Sequence, residues 1–484
     1  MKKSKLPNNH SNHNTKEDTV LLSAYKNEVI ILENNLTKGN IKTTMIKFAV
    51  PFILANLLQA FYGAADLIIV GQFTDSANVS AVAIGSQAMQ TITGIIVGLT
   101  TGGTVLIGQY MGAKKKEDIA DTIGNMVIMF SIIGVILSLI IALFTEKIVT
   151  VLKTPSEAIA YTHEYIFICS MGIIFIVGYN AVSGILRGIG DSKTPLKFVA
   201  VACMVNIILD LILVGIMKAG AEGAAIATIS AQGVSLFLAV LSIIRKNILK
   251  VKISIKNFKL NMGKLKKIFI LGLPIAVQDM LVNISFLIIT AIINTLGVTT
   301  SAAVGVTEKI IIFLMIPPTA FSSAIAVMTA QNIAAKQEKR AKESLKIGII
   351  LSLAIGIICF IFCQFSGKIL ARIFTSDTEV VTQAAVYLKS YTIDCIMVAF
   401  IFCMNGFFSG CGHTTFTLIH SLIATFLFRI PIAYFFCSVH FTSLYKTGLA
   451  SPIASSVSVI ICFIYFKSGK WRKNRLLDNM ELSA

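Results

Sequence analysis

Twelve stretches of mostly apolar residues recur along the chain, at roughly 46–72, 80–109, 122–144, 160–186, 197–217, 222–244, 268–296, 302–330, 347–366, 381–408, 416–437 and 447–466. Each has 18 or more residues, enough for a helix to cross ~30 Å of hydrocarbon. The alternating ten-residue segments of an outer-membrane barrel are absent. The pattern predicts an all-α polytopic membrane protein of twelve transmembrane helices. The first 19 residues are polar, so no signal peptide is expected. His10 and His13 in this tail are read as inert, and residues 20–34 as at most a weak interfacial helix.

Composition agrees with that reading. Of the 484 residues, 55% are hydrophobic and 14% charged, where a soluble domain carries about 25% charged residues. The net charge of +18 raises the question of nucleic acid, and its distribution answers it. Thirty-three of the 42 lysines and arginines fall in the two end segments and in alternate connections, among them Lys114–Lys116, the stretch from Arg245 to Lys267, and Lys336 to Lys346. Six lie in the opposite connections. Positive charge concentrates on the cytoplasmic side of membrane proteins, so both termini are expected in the cytoplasm and no nucleic-acid partner is expected. The nine cysteines form no CxxC pair, and Cys395, Cys403 and Cys411, eight apart, read as one packed helix face.

The chain repeats itself. Pro51 opens the first span and Pro274 the seventh. GQYMGAKKKED (108–118) answers AQNIAAKQEKR (330–340), Tyr165 answers Tyr387, and Gly188 and Gly190 of LRGIGD answer Gly410 and Gly412 of FSGCGH, at offsets of 222–223. Six spans per half make the halves parallel repeats. The expected organisation is a tail over 1–44, a six-helix lobe over 45–245, a basic linker over 246–267, a second six-helix lobe over 268–467 and a tail over 468–484. Transporters of this symmetry place their sites between or within the halves and rock one against the other.

Ionisable groups inside spans are costly, about 2.5–3.5 kcal/mol each on insertion scales, and point to function. The first half offers Asp66 and Asp210. With Thr228, they are expected roughly 9–10 Å below the outer surface at 1.5 Å of rise per residue. Asn206 shares a face with Asp210, and Tyr62 with Asp66, each one turn deeper. Two carboxylates, an amide oxygen and a hydroxyl at one depth suit Na⁺ or a proton, because two buried anions side by side are held at high cost. The alternative is that each Asp braces a helix junction independently.

The segments KGNIKTTMIKFAVP, ADLIIVGQF, LRGIGDSKTP and NIILD, in this order and spacing, resemble the multidrug and toxic compound extrusion (MATE) family, over about Lys38 to Lys467. The resemblance implies a V-shaped pair of lobes acting as a secondary antiporter. It would export cationic or amphipathic organic compounds in exchange for H⁺ or Na⁺, with no ATP and no other cofactor. It also places a coupling site at Asp66, Asn206, Asp210 and Thr228. The implied setting is a bacterial inner membrane, with the protein a monomer in contact with membrane lipid. Multidrug efflux and antibiotic resistance would follow from such export.

The second half departs from the pattern. Its seventh span has Asp279 and no Glu, and Ile289 and Ile432 stand where Asp66 and Asp210 repeat. Glu308, Lys309, Lys389, Asp394 and Arg429 are read as ion pairs bracing the lobe, with Asp394 or Glu308 the alternative carboxylate for a cationic substrate. Gly98, Gly102 and Gly103 are expected to permit close helix packing, and Pro317–Pro318 to break regular hydrogen bonding in span 8 and give a kink or hinge. GIGD (188–191) is a turn rather than a nucleotide loop, and no Walker motif occurs. Two rival readings are a flippase for lipid-linked precursors and a membrane-embedded enzyme. The scattered His163, His413, His420 and His440 do not favour an enzyme.

Overall fold

The structure is a computed structural model describing residues 36–246, 249, 251, 253–439 and 443–473. His10, His13, residues 20–34 and His440 lie outside the described residues. Every regular element is helical, and no strand occurs among the described residues. The spans in chain order are span 1 Ile41–Phe73, span 2 Ser76–Gly112, span 3 Lys116–Val151, span 4 Ser156–Gly188, span 5 Lys193–Ile216 and span 6 Gly220–Arg245. The second half follows with span 7 Met262–Asn294, span 8 Val298–Ala334, span 9 Glu338–Arg372, span 11 Thr414–Cys437 and span 12 Leu444–Ser468. Span 10 is a bent pair, Thr378–Tyr391 and Asp394–Gly410, meeting at 47°. Eleven helices are thus long and apolar enough to cross a membrane, or twelve with the bent pair.

Two of the prolines do not mark the span starts that their positions suggest. Pro51 and Pro274 do not open their spans but lie inside helices that start at Ile41 and Met262. The starts are set by side chains that satisfy free N–H groups. Asn40 Oδ1 accepts from Thr43 N at 3.1 Å, and Asn261 Oδ1 from Lys264 N at 3.2 Å. Pro317 and Pro318 likewise leave span 8 helical throughout. The irregular turns are instead π-helical, at Leu211–Ile216, Ile423–Arg429 and Phe435–Val439. The second of these lies just before Pro431, which has no N–H to continue the regular ladder.

The repeat appears in space as the same contacts made twice. Spans 2–4, 3–4, 4–6, 5–6 and 1–5 pack together in the first half, and spans 8–10, 9–10, 10–12, 11–12 and 7–11 in the second. The turns repeat as well. Lys114 and Lys336 take φ of 58° and 60°, and Gly190 and Gly412 take 93° and 89°. The halves meet most extensively where span 2 lies along span 7. A Cβ on Gly98 would sit 2.5 Å from Ala276 Cα, and one on Gly102 2.5 Å from Gly272 N. These two glycines therefore do what their spacing suggests, letting two backbones touch. Gly103 serves a different neighbour, Met126 of span 3.

The connection between the halves and the start of span 7 are fastened to the first half. Lys264 bonds to Asp118 and, at 3.1 Å, to the Tyr110 hydroxyl. Asn257 Nδ2 donates to Asp121 Oδ1 at 2.7 Å, and Asn261 N to Asn125 Oδ1 at 2.7 Å. Cys395, Cys403 and Cys411 are all buried, consistent with a packing role.

Candidate functional site

Spans 1, 5 and 6 bring four side chains of the first half together. Asp66 is 4% exposed, Asn206 1% and Asp210 0%. Thr228 Oγ1 donates to Asp66 Oδ2 at 3.3 Å, and the Asp66 carboxyl also faces Asp210 and Asn206. The helical spacing explains the convergence: Asn206 and Asp210 are one turn apart on span 5, and span 5 packs against both span 1 and span 6. The span-5 helix changes to π geometry directly after Asp210, as often happens at functional positions.

Hydrogen bonding at this cluster is incomplete. Asp66 Oδ1, both Asp210 carboxylate oxygens and both polar atoms of the Asn206 amide are buried with no hydrogen-bond partner of good geometry among the described residues. Neither carboxylate has a lysine or arginine within ion-pair distance among the described residues. A buried, unpaired carboxylate costs several kcal/mol, and here two face each other. The arrangement asks for positive charge from outside the chain. Its donors are all oxygen, the set a hard cation takes, and a proton shared between two carboxyls would serve equally.

Two further residues belong to this region. Tyr62 lies one turn from Asp66 on span 1, and Gln232 Nε2 donates to its hydroxyl at 3.3 Å. Gln232 follows Thr228 by four residues, so the face they share was a readable signal. Tyr165 lies beside Thr228, its ring occupying the space that a side chain on Gly85 would fill. Nothing local in the sequence marks that contact.

The second-half residues do not join the cluster. Ile289 and Ile432, at the repeated positions, belong to or pack against an apolar core. Asp279 is half-buried in span 7. Thr290 Oγ1 reaches Glu308 Oε1 at 3.4 Å, and Ser451 Oγ donates to Asp394 Oδ2 at 2.8 Å. The ion pairs expected to brace this lobe are not formed: no such pair involves Glu308, Lys309, Lys389, Asp394 or Arg429 among the described residues. Arg429 instead stacks over the Phe286 ring at 4.0 Å and donates to the Tyr391 hydroxyl at 3.2 Å. A guanidinium is weakly hydrated and planar, so an aromatic face competes with a carboxylate for it.

The MatE family model matches residues 51–212 and, a second time, residues 274–435. The chain belongs to the MATE family of transporters. The double match also gives the repeat independently of the landmarks. Among curated relatives, this MATE chain is 26% identical over 447 residues to "Probable multidrug resistance protein YpnP" of Bacillus subtilis, covering 91% of this chain and 98% of that one. It is 26% identical to "Probable multidrug resistance protein NorM" of Thermotoga maritima, covering 90% and 94%. Among solved structures, "Crystal structure of MATE in complex with MaL6" superposes with a TM-score of 0.85 at 21% identity, covering 92% and 99%. "Outward-facing conformation of a multidrug resistance MATE family transporter of the MOP superfamily" does so with a TM-score of 0.85 at 21% identity, covering 90% and 97%. The protein is therefore a multi-pass membrane transporter rather than an enzyme.

Proposed function

We propose that this transporter is an antiporter that exports cationic or amphipathic organic compounds and is driven by H⁺ or Na⁺ bound among Asp66, Asn206, Asp210 and Thr228. The observation that carries the reading is the pair of facing, buried carboxylates with no lysine or arginine within ion-pair distance among the described residues. Filling the site changes the local charge by a full unit in low dielectric. That change biases the lobe between two packings provided the ion binds them with different affinity. The names of the curated relatives support the substrate class. The basic ends of the spans face the cytoplasm on this reading, with both termini there, in the inner membrane of a bacterium.

The test is transport in everted vesicles. Fluorescent lipophilic cations are supplied under an imposed pH gradient in one arm and a Na⁺ gradient in the other. Accumulation in one arm that collapses with its gradient identifies the coupling ion. No movement of any dye in either arm, with lipid-linked precursors translocated instead, overturns the reading in favour of a flippase.

A further inference from the structure

Spans 2 and 8 carry a glutamine at matching places near their basic ends, Gln109 in GQYMGAK and Gln331 in AQNIAAK. Both are buried, at 0% and 1% exposure. Gln109 Nε2 donates to the carbonyl oxygen of Gly410, the last residue of span 10, at 3.2 Å. Gln331 Nε2 donates to the carbonyl oxygen of Gly188, the last residue of span 4, at 3.2 Å. Each bond crosses from one half to the other, and the repeat offset of 222 converts one into the other.

The chemistry explains the choice of partners. The last four carbonyls of a helix lack an intrahelical donor, so Gly188 and Gly410 present free acceptors at the ends of spans 4 and 10. An amide N–H₂ from the opposite half satisfies one of them. The surroundings let the backbones approach: a Cβ on Gly112 would collide with the Gln331 carbonyl oxygen, and one on Gly108 would meet Ala330 Cβ at 3.1 Å.

We propose that this reciprocal pair is the latch that holds the two halves shut at the basic end, and that both bonds break when the halves part there. The latch is asymmetric. Gln331 Oε1 accepts from Leu36 N at 3.2 Å, whereas Gln109 Oε1 has no partner among the described residues. Leu36 is itself fixed by Arg340, whose guanidinium donates to the carbonyls of Leu36, Lys38 and Gly39, the last two at 2.8 Å. The segment Leu36–Gly39 is thus a strap that reinforces the Gln331 bond and leaves the Gln109 bond unsupported. The latch requires no particular ion or transported compound.

The experiment uses the full chain in lipid nanodiscs with spin labels at Glu117 and Lys339. These are exposed positions at the basic ends of spans 3 and 9, and Cys359→Ser removes the one native cysteine that is not buried. The wild type should give a short distance, and Gln109→Ala/Gln331→Ala a new, longer population. Gln109→Ala should move the closed-to-open ratio roughly fivefold, the worth of one hydrogen bond, and Gln331→Ala, which also loses the bond from Leu36 N, at least as much. Arg340→Ala should resemble Gln331→Ala and add nothing to it, yet add fully to Gln109→Ala. Should the double-alanine protein fail to fold, Gln109→Asn and Gln331→Asn keep the amide but fall short of the carbonyl, and the same lengthening is expected. A distance distribution identical to wild type in the double variant, or in both Asn variants, refutes the latch. Full additivity of Arg340→Ala with Gln331→Ala refutes the strap.

Discussion

Replacing Asp210 by Asn tests the coupling site most directly. Asp210 is fully buried, and neither of its oxygens has a hydrogen-bond donor among the described residues. Asn keeps the size and removes the charge. An unpaired buried carboxylate costs several kcal/mol, which is the order needed to move a two-state equilibrium from 1:99 to 99:1, about 5.5 kcal/mol. Removing the charge therefore removes most of what an arriving ion can contribute to that shift. Export driven by the ion gradient should fall by roughly two orders of magnitude or more, since each 1.4 kcal/mol is tenfold. The protein should still fold and reach the membrane, because the substitution relieves an unfavourable burial. Asp66→Asn should behave alike, because the two carboxyls face each other. The assay is dye accumulation in everted vesicles, with melting of the purified variant as the control for folding. Normal gradient-driven export by both Asn variants would overturn this account of coupling, and Asp394 and Glu308 would become the acids to test.

Other expectations follow from the same geometry. Thr228→Ala removes one hydroxyl donor to the Asp66 carboxyl, a long bond at 3.3 Å, and leaves both carboxyls in place, so export measured in the same vesicles should fall less than in either Asn variant. Gly102→Leu puts a side chain where even a Cβ lies 2.5 Å from the span-7 backbone. Overpacking costs about 1–3 kcal/mol or more, so a lower melting temperature and poorer expression are expected. For sidedness, a cysteine at Ser76 or at Val298, which is 87% exposed, should react with impermeant reagents from outside, and one at Ile255, 90% exposed, should not. The nearby Asn78 would not serve, because it is 8% exposed and its Oδ1 accepts from Ala221 N at 2.8 Å.

Periodicity and charge placement are local properties, and whatever depends on them was legible in the chain alone. An apolar run of 18 residues has few other solutions in a membrane, and the asymmetry of lysine and arginine orders the connections. The constant offset between halves announced the parallel repeat. The spacing of Asn206 and Asp210 by four residues puts them on one face of any helix that contains both. What brought Asp66 and Thr228 to that face is the packing of span 5 against spans 1 and 6, with Asp66 and Thr228 themselves 162 residues apart. Only the packed helices show that, among the described residues, no lysine or arginine pairs with the two acids. The second half makes the same point in reverse. Its charges, read along the chain, suggested ion pairs, but Arg429 lies on Phe286, because orientation within a bundle depends on which faces the neighbouring helices leave open. The cross-half bonds of Gln109 and Gln331 are of this kind too. The repeat makes both glutamines visible, but their acceptors are carbonyls at the ends of distant helices, and a backbone carbonyl leaves no mark in a sequence.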